Sequence, residues 1–225
     1  MPAILCIFAH PDDEAFGPGG TIARYAAQGV PVDLLTFTRG QHGARPQHID
    51  SPEALGLLRE HELRAAALVL GVRDLTVLDY VDGQLNQANA DELAGHVARQ
   101  IERTRPDAMI TFGPLGVTRH GDHVATHRAA LAGARRSARP VRVFYQALEG
   151  EWVKRMNLDG PEAAPTHRID VSDFIQTKLT ALACHSSQDD AREFFMMLSG
   201  GAQREELYHQ ALPAFDGGPA NDLLG

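Results

Sequence analysis

Apolar residues fall along this chain in short continuous runs that alternate with longer stretches at helical spacing. Ile4 to Ala9 is nearly all apolar, has strand length, and reads as a strand buried on both faces, as in a parallel sheet covered by helices. Thr21 to Gly29 is then a helix of two to three turns with Gly29 ending it, and Val30 to Thr38 is a second strand, giving a βαβ unit. Ser51-Pro52-Glu53 starts a helix that carries Leu55, Leu58, Leu63, Ala66, Ala67 and Leu70 and stops at Gly71. Arg59 and Glu62 are read as lying off that stripe, on a solvated face. Further strands are expected at 75–78, 108–112 and 141–145, with helices at 91–103, 124–133 and from Asp170 to Cys184. Residues 44–52 and 150–168 lack periodicity and read as loops.

The pattern predicts one α/β domain over residues 1–190, with a mostly parallel sheet and helices on both faces. Residues 191–225 are expected to be an extension whose Phe194, Phe195, Met196 and Met197 pack on the domain or on a partner subunit of a homo-oligomer. Its last dozen residues, rich in Gly and Pro, read as frayed.

A total of 225 residues suits such a domain, and 44% hydrophobic with 22% charged residues is an ordinary globular composition. No run has the apolar length to cross a bilayer, and the start lacks a basic region followed by a cleavage site, so the expectation is a cytoplasmic protein with no membrane partner. A formal net charge of −8 argues against a general nucleic-acid binder. Cys6 and Cys184 fall in a buried strand and a helix, without disulfide or structural-zinc spacing, and read as packing residues.

The chemistry begins where the first strand stops. His10-Pro11-Asp12-Asp13-Glu14 places an imidazole and three carboxylates in a loop at the strand's C-terminal end, where open α/β sheets bind ligands. Pro11 restricts His10 to extended geometry, so the chain leaves the strand without starting a helix. Three neighbouring carboxylates repel unless positive charge offsets them, and a divalent cation does so. The glycines Gly17, Gly19 and Gly20 match neither a dinucleotide fingerprint nor a P-loop and read as close packing around the site.

A second histidine group, His120-x-Asp122-His123, follows the strand at 108–112 and opens a helix, which brings it to the same sheet edge. Three ligands with an open position is the catalytic zinc pattern, and His and Asp donors suit Zn²⁺ better than Mg²⁺. His123 and His127 share one helical face, so either could complete the set; His127 lies a turn further from the strand end, which favours His123.

These motifs resemble the zinc-dependent deacetylase family that includes the glycosylphosphatidylinositol-pathway N-acetylglucosaminyl deacetylase, the mycothiol- and bacillithiol-pathway enzymes and the LmbE-like proteins. The similarity continues through Arg59-x-x-Glu62-Leu63, Leu70-Gly71-Val72, Asp82-Gly83 and Lys178-x-x-Ala181-Leu182-x-x-His185-x-Ser187-Gln188. It implies a Rossmann-like fold and hydrolysis of an acetamide on a small glucosamine conjugate. It also implies one catalytic Zn²⁺ held by His10, Asp13 and His123, with Asp12 as general base and His120 stabilising the oxyanion or protonating the leaving amine. Arg59 and Asp82 would contact substrate, and Glu14 would support a ligand histidine. Gly121 stands where many members have Pro, and Thr38-Arg39-Gly40-Gln41 departs from the acidic residues often seen there, which bears on substrate rather than reaction. Three alternatives share these residues: an amidase acting on a thiol-conjugated glucosaminide, a non-catalytic sugar- or nucleotide-binding module, and a Mg²⁺-dependent phosphoryl-transfer enzyme. The histidines argue against the last.

Overall fold

The computed structural model describes residues 1–199 and 204–225. Seven strands form one sheet in the order β3-β2-β1-β4-β5-β7-β6. β1 (Ile4–Phe8), β2 (Val32–Thr38), β3 (Asp74–Tyr80), β4 (Ala108–Thr111) and β5 (Arg142–Ala147) are mutually parallel. β1 and β2 are buried at every position; β1 reads as an unbroken apolar run, while β2 also buries Asp33, Thr36 and Thr38. The chain winds outward from β1 in both directions, so the order reverses between β1 and β4. In such sheets the crevice outside the carboxyl ends of those two strands is the place for a ligand.

Local signals set the helix ends. α3 (Pro52–Leu70) starts where Ser51 Oγ accepts the Ala54 N–H at 3.2 Å and stops at Gly71, whose φ of 78° favours glycine. α1 (Asp13–Phe16) and α2 (Gly19–Ala27) follow the acidic loop closely. A Cβ on Gly20 would lie 2.6 Å from Val171, so that glycine is required for packing, as expected. α4 (Ala90–Thr104) precedes β4, and α5 (Gly121–Arg136) follows it.

Two expectations differ from what the fold contains. Residues 150–168 carry α6 (Glu151–Arg155), a 3₁₀ turn at Gly160–Ala163 and the start of β6 (His167–Asp170). After α7 (Ile175–Cys184) and α8 (Asp189–Ser199), residues Glu205–Leu212 form β7, inserted between β5 and β6 and antiparallel to both. Along β7 polar and apolar residues run in pairs, and the inward positions include Glu206 and Gln210, so no period-two apolar pattern announces the strand. Phe194 packs on Phe16 with ring centroids 4.9 Å apart, while Met196 is exposed. The terminal residues are tied down: Tyr25 Oη bonds Asp222 at 2.8 Å, and Leu223 is fully buried. No helix among the described residues is long and apolar enough to cross a membrane.

Lys178 of α7 is fully buried and reaches Glu206 of β7 at 2.6 Å and the Gly17 carbonyl at 2.7 Å. Glu206 in turn accepts the Gly20 and Thr21 N–H groups at the start of α2, at 2.9 and 2.7 Å. Removing one partner of a buried ion pair strands the other charge. Lys178→Met is expected to lower the unfolding free energy by about 3 kcal/mol, read by urea denaturation.

Candidate metal centre

His10 lies two residues past the end of β1, and one of its ring nitrogens is engaged by carboxylates. Nε2 faces Asp82 Oδ1 at 3.0 Å and Asp122 Oδ2 at 3.1 Å, and an N–H there is the only arrangement that satisfies two carboxylates. The lone pair then belongs to Nδ1. His123, in the first turn of α5, donates Nδ1–H to the Gly116 carbonyl at 2.9 Å, which leaves its Nε2 lone pair free. Those two free nitrogens lie 3.3 Å apart. Asp13 joins them, with Oδ1 at 3.4 Å from His123 Nε2 and Oδ2 at 3.8 Å from His10 Nδ1. Tetrahedral zinc with bonds of about 2.0–2.1 Å separates its ligands by roughly 3.3–3.4 Å, so the donors fit that ion in type and in two of the three spacings, while Asp13 reaches His10 only at 3.8 Å and through its other oxygen. His120 also brings a ring nitrogen within 4.8 Å of His10 and His123.

The electrostatics of the cluster follow from burial and pairing. Burial opposes ionisation of Asp13, yet the His123 and His10 imidazoles hold its carboxyl down at about 2. Burial likewise opposes charge on His10, but the Asp122 and Asp82 carboxylates raise it to about 10. A proton on His10 Nδ1 competes with a metal ion for the same lone pair, so an ion bound there would displace it. Asp12 goes the other way: burial pushes its carboxyl up to about 7, against the pull of Arg59.

Asp12 has φ 104°, an uncommon conformation for a residue with a side chain, costing on the order of 1–3 kcal/mol. Its carboxylate accepts Arg59 Nη2–H at 2.8 Å. Arg59 is buried and also donates to the Pro11 and Gly40 carbonyls, at 2.6 and 2.9 Å. The solvated-face reading of Arg59 does not hold, since the residue faces inward with Leu55, Leu63 and Ala66; from there it reaches Asp12. Glu62 is also buried, and accepts the Ser187 N–H at 2.8 Å. Both continue the buried face of α3, because 55, 59, 62, 63 and 66 share one side of a helix. Asp82 is buried between His10 and the His42 N–H at 2.9 Å, with its pKa held to about 2 by His10 despite burial.

His120 caps α5 and accepts the Asp122 N–H on Nδ1 at 3.2 Å. That bond places the proton of the neutral ring on Nε2. Burial and the neighbouring His10 and His123 rings lower its pKa. His127 is outside the cluster: its Nδ1–H donates to the Phe112 carbonyl at 3.0 Å, and its ring packs on Tyr145.

Three residues acquire roles that sequence reading did not give them. Asp122, together with Asp82 and rather than Glu14, stands behind a histidine of the cluster, and it is fixed by the Gly83 and Leu85 N–H groups at 2.7 and 2.9 Å. An acidic residue in a helix's first turn ordinarily reads as a dipole partner, so its spacing gave no signal. Glu14 turns the other way, toward His185 at 2.7 Å. Glu162, from the aperiodic stretch, is fully buried and accepts the Leu115 and Val117 N–H groups at 2.6 and 2.8 Å, bracing the loop that presents Gly116 to His123.

Residues 5–134 match the protein family described as PIG-L, GlcNAc-PI de-N-acetylase. The chain belongs to the PIG-L family. A relative from Actinosynnema mirum, named 1D-myo-inositol 2-acetamido-2-deoxy-alpha-D-glucopyranoside deacetylase, is 30% identical, covering 100% of this chain and 96% of its own. A relative from Bacillus anthracis, named as a probable N-acetyl-alpha-D-glucosaminyl L-malate deacetylase 2, is 34% identical over 82% of this chain and 80% of its own. Among solved structures, the 4-carboxy-2-hydroxymuconate hydratase of Pseudomonas putida KT2440 superposes with a TM-score of 0.77 at 19% identity, covering 98% of this chain and 100% of that one. A hydratase on the same scaffold shows that the PIG-L fold alone does not select the reaction.

Proposed function

We propose that this PIG-L family protein is a zinc-dependent deacetylase that hydrolyses the acetamide of a small N-acetylglucosamine conjugate. The observation that carries the reading is the convergence of His10 Nδ1, His123 Nε2 and the Asp13 carboxylate beside a buried Asp12. The names of its relatives, deacetylases of N-acetylglucosamine linked to inositol or malate, supply the substrate class.

His10, Asp13 and His123 would hold the ion. When bound, zinc supplies Lewis acidity that acidifies water and polarises the acetamide carbonyl. Asp12 takes a proton as water attacks the carbonyl carbon, and its raised pKa suits that task near neutral pH. Arg59 keeps the carboxylate aimed throughout. The Nε2–H of neutral His120 donates a hydrogen bond to the developing oxyanion. A neutral imidazole is a poor acid, so the amine leaves with the proton that Asp12 has collected as the C–N bond breaks. This assigns His120 to the oxyanion and leaves proton transfer to Asp12.

The test is a screen of zinc-loaded protein against N-acetylglucosamine linked to inositol, malate, lipid and short chitooligosaccharides, with acetate as readout. A glucosaminide bearing a bulky acyl group and a thiol conjugate is included. Acetate release from at least one N-acetyl substrate, abolished by a chelator and restored by Zn²⁺, is expected. Cleavage of the bulky acyl group alone would make the protein an amidase. Stoichiometric zinc with no turnover of any member would make it a binding module.

A further inference from the structure

The motif Lys178-x-x-Ala181-Leu182-x-x-His185 has no part in the chemistry above, yet α7 lies directly behind the acidic loop. Its last residue, Cys184, is followed by His185, which is buried, as is Glu14, and the two meet at 2.7 Å through Nε2 and Oε1. His185 Nδ1 is buried with no hydrogen-bond partner, so the ring's polar contact is with Glu14 alone among the described residues. The other Glu14 oxygen accepts the backbone N–H of Asp12 at 3.0 Å.

That N–H belongs to the residue with φ 104°. The Asp12 carbonyl is held as well, by the Ala15 and Phe16 N–H groups at 2.9 Å each. A backbone in this conformation persists only where its surroundings over-determine it, and such strain concentrates at functional positions. Backbone conformation decides where Cβ points. Released, Asp12 would relax to negative φ and swing its carboxylate away from Arg59 and from the three metal donors.

We propose that Glu14 and His185 form a positioning pair that holds Asp12 in its strained conformation, so that the base is aimed before substrate arrives. The proposal rests on the reading of Asp12 as the base. Glu14 serves by reach rather than by charge: it lends an acceptor to one N–H, and His185 makes its burial tolerable. Lys178 anchors the same helix to the Gly17 carbonyl at 2.7 Å, just beyond α1, so α7 grips both ends of the acidic segment.

Two conservative variants separate reach from charge in the full-length, zinc-loaded protein. Glu14→Asp keeps the charge and withdraws the carboxylate by about 1.5 Å. Glu14→Gln loses the charge and keeps the acceptor; its amide N–H₂ can donate to His185 Nε2 once the ring proton moves to the unpartnered Nδ1. On the glucosaminide turned over best, Glu14→Asp is expected to lose about a hundredfold in kcat, with KM and zinc content within about twofold of the parent. Glu14→Gln is expected to stay within about threefold. The reverse order, parental kcat in both, or loss of zinc in both would overturn the proposal. Should the parent turn over no glucosaminide, the deacetylase reading falls by itself, and crystal structures of the two variants decide this one. Positive φ at Asp12 kept in Glu14→Gln and lost in Glu14→Asp supports the pair; positive φ in both overturns it.

Discussion

Asp12→Asn is expected to lower kcat by about 10³-fold while the protein still binds one zinc ion per chain. Positioned general bases contribute typically 10²–10⁴-fold, and the amide has the size of the carboxylate without its proton affinity. Asn tolerates the left-handed region nearly as well as Asp, so the positive φ survives the change. The same variant leaves the Arg59 guanidinium buried without its anionic partner, so some loss of thermal stability accompanies the loss of turnover. Steady-state kinetics with metal analysis on the same preparation checks both halves. A zinc-replete Asp12→Asn protein with parental kcat would remove Asp12 from the mechanism.

Asp13→Ala is expected to leave the protein without stoichiometric zinc after dialysis and with turnover near background. The variant reduces three donors to two, and the two imidazoles that remain would repel one another if both were protonated, since the carboxylate between them is what holds them together. It also strips the acceptor from the Ala9 and His10 N–H groups, at 3.2 and 2.8 Å, so the loop loosens at the point where it leaves β1. Asp122→Asn provides the calibrated comparison. All three donors persist, one of the two carboxylates behind His10 is weakened, and zinc affinity should fall by about 10-fold or more in a competition titration. A metal-free but fully active Asp13→Ala protein would refute the ligand assignment.

Much of this was legible in the chain. The strands β1, β2 and β4 are buried at every position, so burial leaves a largely apolar signal, and the two histidine motifs follow β1 and β4 toward the sheet's carboxyl edge. His10, Asp12, Asp13, His120 and His123 could be named because two compact motifs follow two such strands. The sheet order that places β1 beside β4 then brings the motifs together. β7 was not legible, since an antiparallel strand of paired polar and apolar, partly exposed residues has no run to betray it.

The sequence by itself determined the donor types, their placement at strand ends and the scaffold class, because those follow from local composition and from the handedness of parallel connections. Only the tertiary structure decided what lies behind the donors. Arg59 turns inward to Asp12, Asp82 and Asp122 share one imidazole nitrogen, Glu162 braces the loop that fixes His123, and Glu14 reaches back to the strained Asp12 N–H. Each of these pairs a charged residue with a partner two to more than a hundred residues away. At that range the sequence carries no periodicity, and only the requirement that every buried charge find a partner fixes which one it finds.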